Sequence, residues 1–219
     1  MASWRVRRCA LVTVKVFFEG GADPKSNPNV ATVDNTLRLR ESFNKLLNAA
    51  FEEEKVRIQA EPTYSISNTV RIRESNSLIL IDLDGSKDKK SQRLNDNKLT
   101  DIQEFVFFMI QQMESWILSQ PEVIEEVFKK DKAKPDLVKD DSQIKNKHPE
   151  TILNPDFVLD KILQRYFIVK KGDKEKKLKY GKLKHSPDLI ENLDINKLKN
   201  KFEDVEFLIN KINELSLIK

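Results

Sequence analysis

The chain lacks any apolar run long enough to cross a bilayer. Its longest runs, CALVTVKVFF and FVFFMI, fall well short of the roughly 20 residues that a membrane-spanning helix needs. We therefore expect no membrane insertion. The basic start MASWRVRRCALVTVKVFF also lacks the marks of a signal peptide, because Lys15 interrupts the apolar run and no small-residue cleavage site follows.

Cysteine is almost absent, and the only one is Cys9. A single cysteine excludes an internal disulfide and a cysteine-based metal cage. We therefore expect a cytoplasmic protein. The chain also shows no internal repeat, which argues against a solenoid or a propeller.

The composition predicts a folded domain with well-solvated helices. Hydrophobic residues make up 39% of the 219 positions and charged residues 34%, which is enough for a substantial core. The net charge of +4 is unevenly spread. Between Lys170 and Lys184 lie eight lysines against two acids, Asp173 and Glu175. Such an excess can attract phosphate backbones, but a solvated lysine-rich loop is the favoured interpretation of the segment taken alone.

The first half of the chain alternates strand and helix patterns. LVTVKVFF, KVRIQAEP and SLILID have the character of strands. Residues 36–54 carry apolar side chains at helical spacing, and residues 63–75 fit a short helix capped by Ser65 or Ser67. Since SLILID is apolar without alternation, it fits a strand covered on both faces. The pattern predicts an α/β fold with a mainly parallel, Rossmann-like sheet flanked by helices.

The second half of the chain is predicted to be more helical. EFVFFMIQ is interpreted as a fourth strand, with a helix as the competing interpretation. MESWIL, PEVIEEVF, residues 155–168 and residues 187–217 have helical patterns. We expect an α/β core over residues 10–130, with a lysine-rich loop and a helical C-terminal appendage over residues 131–219 packed on that core.

Acidic residues follow two of the predicted strands. Glu19 ends the first strand, and Asp82 and Asp84 end the third. If these strands are neighbours, the three carboxylates meet at the carboxyl edge of the sheet, where functional groups gather in α/β folds. Carboxylate-rich sites select Mg²⁺ or Mn²⁺. The simpler alternative is an acidic turn, with Gly85 at a positive φ angle.

VKVFFEGGAD followed by LILIDLDG resembles the Toprim domain of topoisomerases, primases and overcoming-lysogenisation-defect nucleases. The resemblance implies that Glu19, Asp82 and Asp84 hold Mg²⁺ for phosphodiester chemistry. The spacing of Glu19 and Asp23 is similar to that of the nuclease branch, in which the aspartate is a further metal ligand.

Two later segments extend the resemblance. Met113-Glu114-Ser115-Trp116 and the segment from Lys182 to His185 resemble the ME-x-W and K-x-x-H motifs of a family of small stand-alone Toprim proteins of unknown function. These are often found beside ABC-type ATPases. The resemblance implies a metal-dependent nuclease acting on nucleic acid, in a prokaryotic defence or repair system with an ABC/AAA-type ATPase partner. It leaves a homo-oligomer open.

Several side chains are candidates for roles beside the metal. Glu19 could bind the metal or act as a general acid or base. Glu114 could share the same edge of the sheet and be catalytic, or it could only be a glutamate at a helix N-terminus, stabilised by the helix dipole. Lys182 could stabilise charge on a phosphate, with Lys179 and Lys184 as backbone contacts. His185 could be a general acid, although a structural role at the start of a helix is the favoured interpretation. Ser86 is interpreted as a carboxylate partner or turn residue, and Trp116 and Phe108 as core residues.

Two alternatives compete with the nuclease. ILIDLDGS also resembles the first motif of haloacid-dehalogenase-type phosphatases, which would make Asp82 a nucleophile and Asp84 an acid. That family also needs a later acidic pair, for which only Asp140-Asp141 comes near, and Glu19 would have no role. The second alternative is a non-catalytic regulatory or binding subunit on a Toprim scaffold.

Overall fold

The computed structural model describes residues 11–20, 26–51, 55–172 and 174–217. The strands of these ranges are β1 (Val12–Glu19), β2 (Val56–Thr63), β3 (Ser77–Asp82), β4 (Val106–Met109), β5 (Ile168–Lys171) and β6 (Lys174–Lys177). The helices are α1 (Val30–Asn48), α2 (Ile66–Ile72), α3 (Lys90–Asp96), α4 (Glu114–Leu118), α5 (Pro121–Val127), α6 (Pro155–Tyr166), α7 (Lys182–Ile190), α8 (Ile195–Lys201) and α9 (Glu203–Leu217).

Strands β1 to β4 form one sheet in the order β2-β1-β3-β4, and every neighbouring pair is parallel. Helices flank the sheet, so the predicted α/β fold with a Rossmann-like parallel sheet is confirmed. Among the described helices, none is both long and apolar enough to cross a membrane.

Strand β3 lies in the centre of the sheet and is buried along its whole length. Leu78 and Leu80 belong to the large core on one face, whereas Ile79 and Ile81 belong to a smaller core on the other. Apolar layers on both faces explain why the strand shows no alternation of apolar and polar residues.

Helix α1 begins earlier than the sequence pattern indicates. The segment from Val30 to Asn35, which precedes the helical pattern of residues 36–54, forms its first turns because the side chain of Asn29 accepts a hydrogen bond from the N–H of Thr32. This is a standard N-cap contact. The helix ends at Asn48 and not at residue 54, and the side chain of Asn48 bonds to the backbone of Ile58 on β2.

Two ambiguous segments are resolved by the structure. EFVFFMIQ contains strand β4, which pairs with β3, so the strand interpretation is confirmed. Residues 63–75 contain the short helix α2, and Ser65 is the residue that caps it, through a bond from the N–H of Asn68.

The C-terminal region packs on the sheet and shares its core. Buried side chains from Val14 on β1 to Ile212 on α9 form one apolar cluster. The prediction of a lysine-rich loop is wrong for this segment, because β5 and β6 form an antiparallel hairpin. The sequence signal for these strands was weak, because β6 consists of charged residues and is fully exposed.

Candidate active site

The carboxyl edges of β1 and β3 bring two of the predicted acids together. The two strands pair in parallel, with Phe18 opposite Leu80, so Glu19 and Asp82 leave the sheet side by side. The backbone N–H of Asp82 donates to Oε2 of Glu19 at 3.1 Å. The first and third strands are therefore neighbours, which is the condition for these acids to meet at one edge.

The turn after β3 separates Asp84 from Asp82. Asp84 has a left-handed backbone with φ of 53°, and its N–H donates to the carbonyl of Gln111 at 2.7 Å. The positive φ angle expected at Gly85 is therefore at Asp84. The side chain of Asp84 is 51% exposed, whereas that of Asp82 is 7% exposed. The two carboxylates face different partners, because strand β3 ends at Asp82 and the turn that follows points Asp84 in another direction.

Asp82 is held on both oxygens. Its Oδ1 accepts the backbone N–H of Met113 at 2.8 Å, and its Oδ2 accepts Nζ of Lys182 at 2.9 Å. The same Nζ lies 3.8 Å from Oε2 of Glu114. Lys182, at the start of α7, thus reaches one carboxylate at the end of β3 and another at the start of α4.

Glu114 is a fully buried acid at the start of α4. The hydroxyl of Tyr180 donates to its Oε1 at 2.9 Å and shares a 2.6 Å hydrogen bond with Ser186. Its Oε2 has no hydrogen-bond partner within the described part of the chain and faces only Lys182. Glu114 is therefore a member of the cluster at this edge, not only a residue at a helix N-terminus.

Arg93, on α3, is a site residue that the sequence did not indicate. Its Nη2 lies 3.3 and 3.2 Å from the two carboxylate oxygens of Glu19 and 3.5 Å from Oδ2 of Asp84. The segment around it, GSKDKKSQRLNDNKLTD, is polar and shows no apolar periodicity that would predict helix α3. Only its position shortly after an acidic strand end could have suggested a counter-ion.

Burial makes these acids harder to ionise. It raises the pKa of Glu19, Asp82 and Glu114, and repulsion from Asp82 raises that of Glu19 further. Burial alone would lower the pKa of Lys182, but the charges of Asp82 and Glu114 outweigh it and hold that pKa above its usual range. The lysine therefore stays charged at neutral pH, and this charge offsets part of the cost of the buried carboxylates.

The donor atoms of the site decide whether it suits the expected metal. Within residues 11–20, 26–51, 55–172 and 174–217, no group of three or more histidine, cysteine or acidic residues is arranged to hold a metal ion. Asp23, the expected additional ligand, lies outside the described residues. The donors are nevertheless all carboxylate oxygens, which suit Mg²⁺. The guanidinium of Arg93 marks a point where a cation lies between Glu19 and Asp84.

Comparison with protein families gives one match. The family model described as "Domain of unknown function (DUF4276)" matches residues 24–213. The chain belongs to the DUF4276 family. The region matched to DUF4276 contains Asp82, Asp84, Glu114 and Lys182, whereas Glu19 lies just before it. No curated protein and no solved structure matches the chain.

The remaining predicted side chains lie around this cluster. Lys179 and Lys184 are exposed. His185 is buried, and its Nδ1 accepts the N–H of Gly181 at 2.9 Å, which agrees with the structural interpretation. Trp116 and Phe108 are buried in the core, as expected.

Two further assignments concern turns outside the cluster. Ser86 bonds to Asp88, a carboxylate of its own turn, and not to a carboxylate of the cluster. The Asp140-Asp141 pair belongs to a separate part of the structure, where Asp141 is buried and pairs with Arg165.

Proposed function

We propose that this protein hydrolyses phosphodiester bonds of nucleic acids with a bound Mg²⁺ or Mn²⁺ ion. One observation carries the proposal: Glu19, Asp82 and Asp84 leave neighbouring parallel strands at the same edge, beside the buried ion pair of Lys182. A cleft of about 530 Å³ borders Glu19 and Arg93 at this edge. It gives a solvent-accessible approach for a phosphate.

The acidic side chains would hold the metal. Glu19 and Asp84 already share one cation, the Arg93 guanidinium, and Asp82 or Asp23 would complete the set. A bound divalent ion supplies a more acidic water and neutralises negative charge on the phosphate. Glu19, which is one-third exposed and whose pKa is raised by burial, would take a proton from a water.

Lys182 would act on the substrate directly. Its side chain is 41% exposed although its Nζ contacts Asp82. An ammonium group in this position can stabilise the charge that develops on a non-bridging phosphate oxygen. Glu114 and Tyr180 would act as positioning residues. Oε2 of Glu114 lies beside the ammonium group of Lys182, and the hydroxyl of Tyr180 holds Glu114 by donating to its Oε1.

Nuclease activity is tested with isosteric variants. We expect Glu19→Gln and Asp82→Asn to remain folded and to lose cleavage of plasmid and single-stranded substrates by on the order of 100-fold or more, as for loss of a major electrostatic contribution. The matched control is Glu41→Gln, an exposed carboxylate on α1. Cleavage that survives both site substitutions would contradict the proposal.

A phosphatase is the second candidate, favoured by the contact of Lys182 with Asp82. In that mechanism Asp82 would accept a phosphoryl group and Asp84 would act as the acid. One observation argues against it: Glu19, whose side chain accepts the backbone N–H of Asp82, would have no role in a phosphatase. Turnover of a small phosphomonoester, with a phosphoryl group found on Asp82 by mass spectrometry, would select this candidate.

The resemblance to stand-alone Toprim proteins supports two further parts of the proposal: an ABC/AAA-type ATPase as partner, and a role in defence or repair. Co-expression with a neighbouring ATPase gene product and co-purification would test the partner. A protein that binds nucleic acid but never cleaves it, with or without that ATPase, would be a non-catalytic subunit.

A further inference from the structure

A basic groove lies between helix α6 and the β5–β6 hairpin. Its volume is about 510 Å³, and its lining includes Lys134, Lys161, Arg165 and Lys177. Among the described residues that line it, none is acidic. Four cations around one groove raise its positive potential, which attracts anions.

Within the described residues, the three lysines of this groove are not paired with acidic side chains. Nζ of Lys134 lies 5.8 Å from the ring centre of Tyr166, and Nζ of Lys161 lies 4.8 Å from that of Phe157. Lys177 lies on β6, whose side chains are all exposed. Arg165 differs, since it pairs with buried Asp141. The groove therefore presents three lysine charges to solvent and one arginine that is already paired.

The groove is connected to the active site by a short, anchored stretch of chain. Leu178 is buried, and its N–H donates to the carbonyl of Phe167. Two residues later the N–H of Tyr180 donates to Oδ1 of Asp160 on α6 at 2.8 Å. The chain then reaches Lys182, which contacts Asp82. The hairpin strand that borders the groove thus runs directly into the active-site lysine.

We propose that this groove binds the phosphate backbone of the nucleic acid on its way to the cluster around Asp82. The proposal rests on the proposed function and names the surface that the substrate uses. Exposed Lys179 lies between Lys177 and Lys182, so the positive charge continues from the groove to the site. Contacts of this kind position the strand and carry no sequence information.

Binding is measured by fluorescence anisotropy of a labelled oligonucleotide, single-stranded and as a duplex, in EDTA over a range of salt concentrations. The groove variant combines Lys134→Gln, Lys161→Gln and Lys177→Gln. We expect weaker binding, and a plot of log affinity against log salt that is less steep by roughly 0.7 to 0.9 for each lysine that contacts a phosphate.

Two control proteins make the result specific. The triple arginine variant, with Lys134→Arg, Lys161→Arg and Lys177→Arg, keeps the charge and should retain both affinity and salt dependence. A second triple variant, with Lys45→Gln, Lys139→Gln and Lys147→Gln, removes equal charge from exposed positions that do not line the groove. Wild-type affinity of the groove variant, or an equal loss in this second control, would overturn the proposal.

The same experiment separates this proposal from the proposed function. If the wild-type protein cleaves nucleic acid and the groove variant binds and cleaves equally well, the groove is not the binding surface and the nuclease stands. If binding in EDTA depends on the groove but Mg²⁺ produces no cleavage, the groove stands and the nuclease fails.

Discussion

Asp82 is held by three neighbouring residues at the site. It ends the central strand, its backbone N–H contacts Glu19, and its two oxygens are bound by Met113 and Lys182. A buried carboxylate in this setting is stable only with its cation, because an unpaired charge would be costly to desolvate. At the scale of single residues, the site is therefore a set of acids neutralised by internal cations, Lys182 on one side and Arg93 on the other.

Arg93 occupies a position that a divalent cation would share. We expect Arg93→Gln to bind Mn²⁺ more tightly, by roughly tenfold, which corresponds to about 1.4 kcal/mol. That is a fraction of the ~4 kcal/mol between unit charges 4 Å apart near a protein surface. Isothermal titration calorimetry measures this affinity, with Arg71→Gln, at an exposed position on α2, as the control. Equal or weaker affinity in Arg93→Gln would show that the arginine does not compete with the metal.

The buried carboxylate of Glu114 should make stability depend on pH. Burial raises its pKa in the folded state, so the folded protein holds the proton more tightly than the unfolded chain. Its contribution to stability is then present at low pH and is lost as pH rises above the usual value of 4.5 through the raised folded pKa. The neutral variant Glu114→Gln escapes this loss.

We therefore expect the stability of Glu114→Gln relative to wild type to increase as pH rises from about 4 to about 8. Urea unfolding in EDTA at several pH values measures the difference. Exposed Glu41→Gln should show no such trend. A difference for Glu114→Gln that is constant with pH would mean that this carboxyl titrates alike in the folded and unfolded states.

At the scale of elements, helix α1 stabilises the position of the helix that carries Lys182. It packs against α7, the helix that carries Lys182, and the pair is joined by an ion pair between Arg38 and Asp188. The first turn of α1 depends on Asn29, whose side chain accepts bonds from both the N–H and the hydroxyl of Thr32. The support is therefore sensitive to a residue remote from the acids.

Removal of this cap gives an element-scale prediction. Asn29→Ala should lower the free energy of unfolding by about 1 kcal/mol, the usual value of an N-cap, whereas Asn29→Ser should keep most of it. Thermal or urea unfolding measures both. Because the site itself is untouched, cleavage at low temperature should not change. Equal stability of Asn29→Ala and wild type would contradict the cap.

How far the sequence predicts these elements depends on how they are stabilised. Strand β3 and the acids that follow it could be predicted, because continuous apolar residues ending in Asp82 mark a buried strand. The β5–β6 hairpin could not, since five of the eight residues in its strands are lysines and the pattern shows no alternation of apolar and polar residues. Arg93 was missed for a different reason: its role arises only when α3 folds back over Glu19.

At the scale of the whole molecule, one core joins the sheet and the C-terminal helices. The buried cluster includes Val16 of β1, Trp116 of α4 and Leu208 of α9. Elements that share one core usually unfold together. The apolar contacts therefore link the helix that carries Lys182 to the sheet that carries Asp82.

We expect a single cooperative unfolding transition. Urea denaturation followed by tryptophan fluorescence, which reports on buried Trp116, and by far-ultraviolet circular dichroism should give coincident curves. If circular dichroism instead detected a separate transition of the C-terminal helices, the shared core would not couple the two regions. Divalent metal should move the single transition to higher urea concentration, since a ligand that binds only the folded state stabilises it.

The most direct test of the central claim is cleavage by the purified wild-type protein in Mg²⁺, Mn²⁺ and EDTA, on plasmid and labelled single-stranded DNA and RNA. The account predicts cleavage of at least one substrate with either metal and none in EDTA, with activity restored when metal is added back. Cleavage that persists in EDTA, or no cleavage of any substrate with either metal, would contradict it.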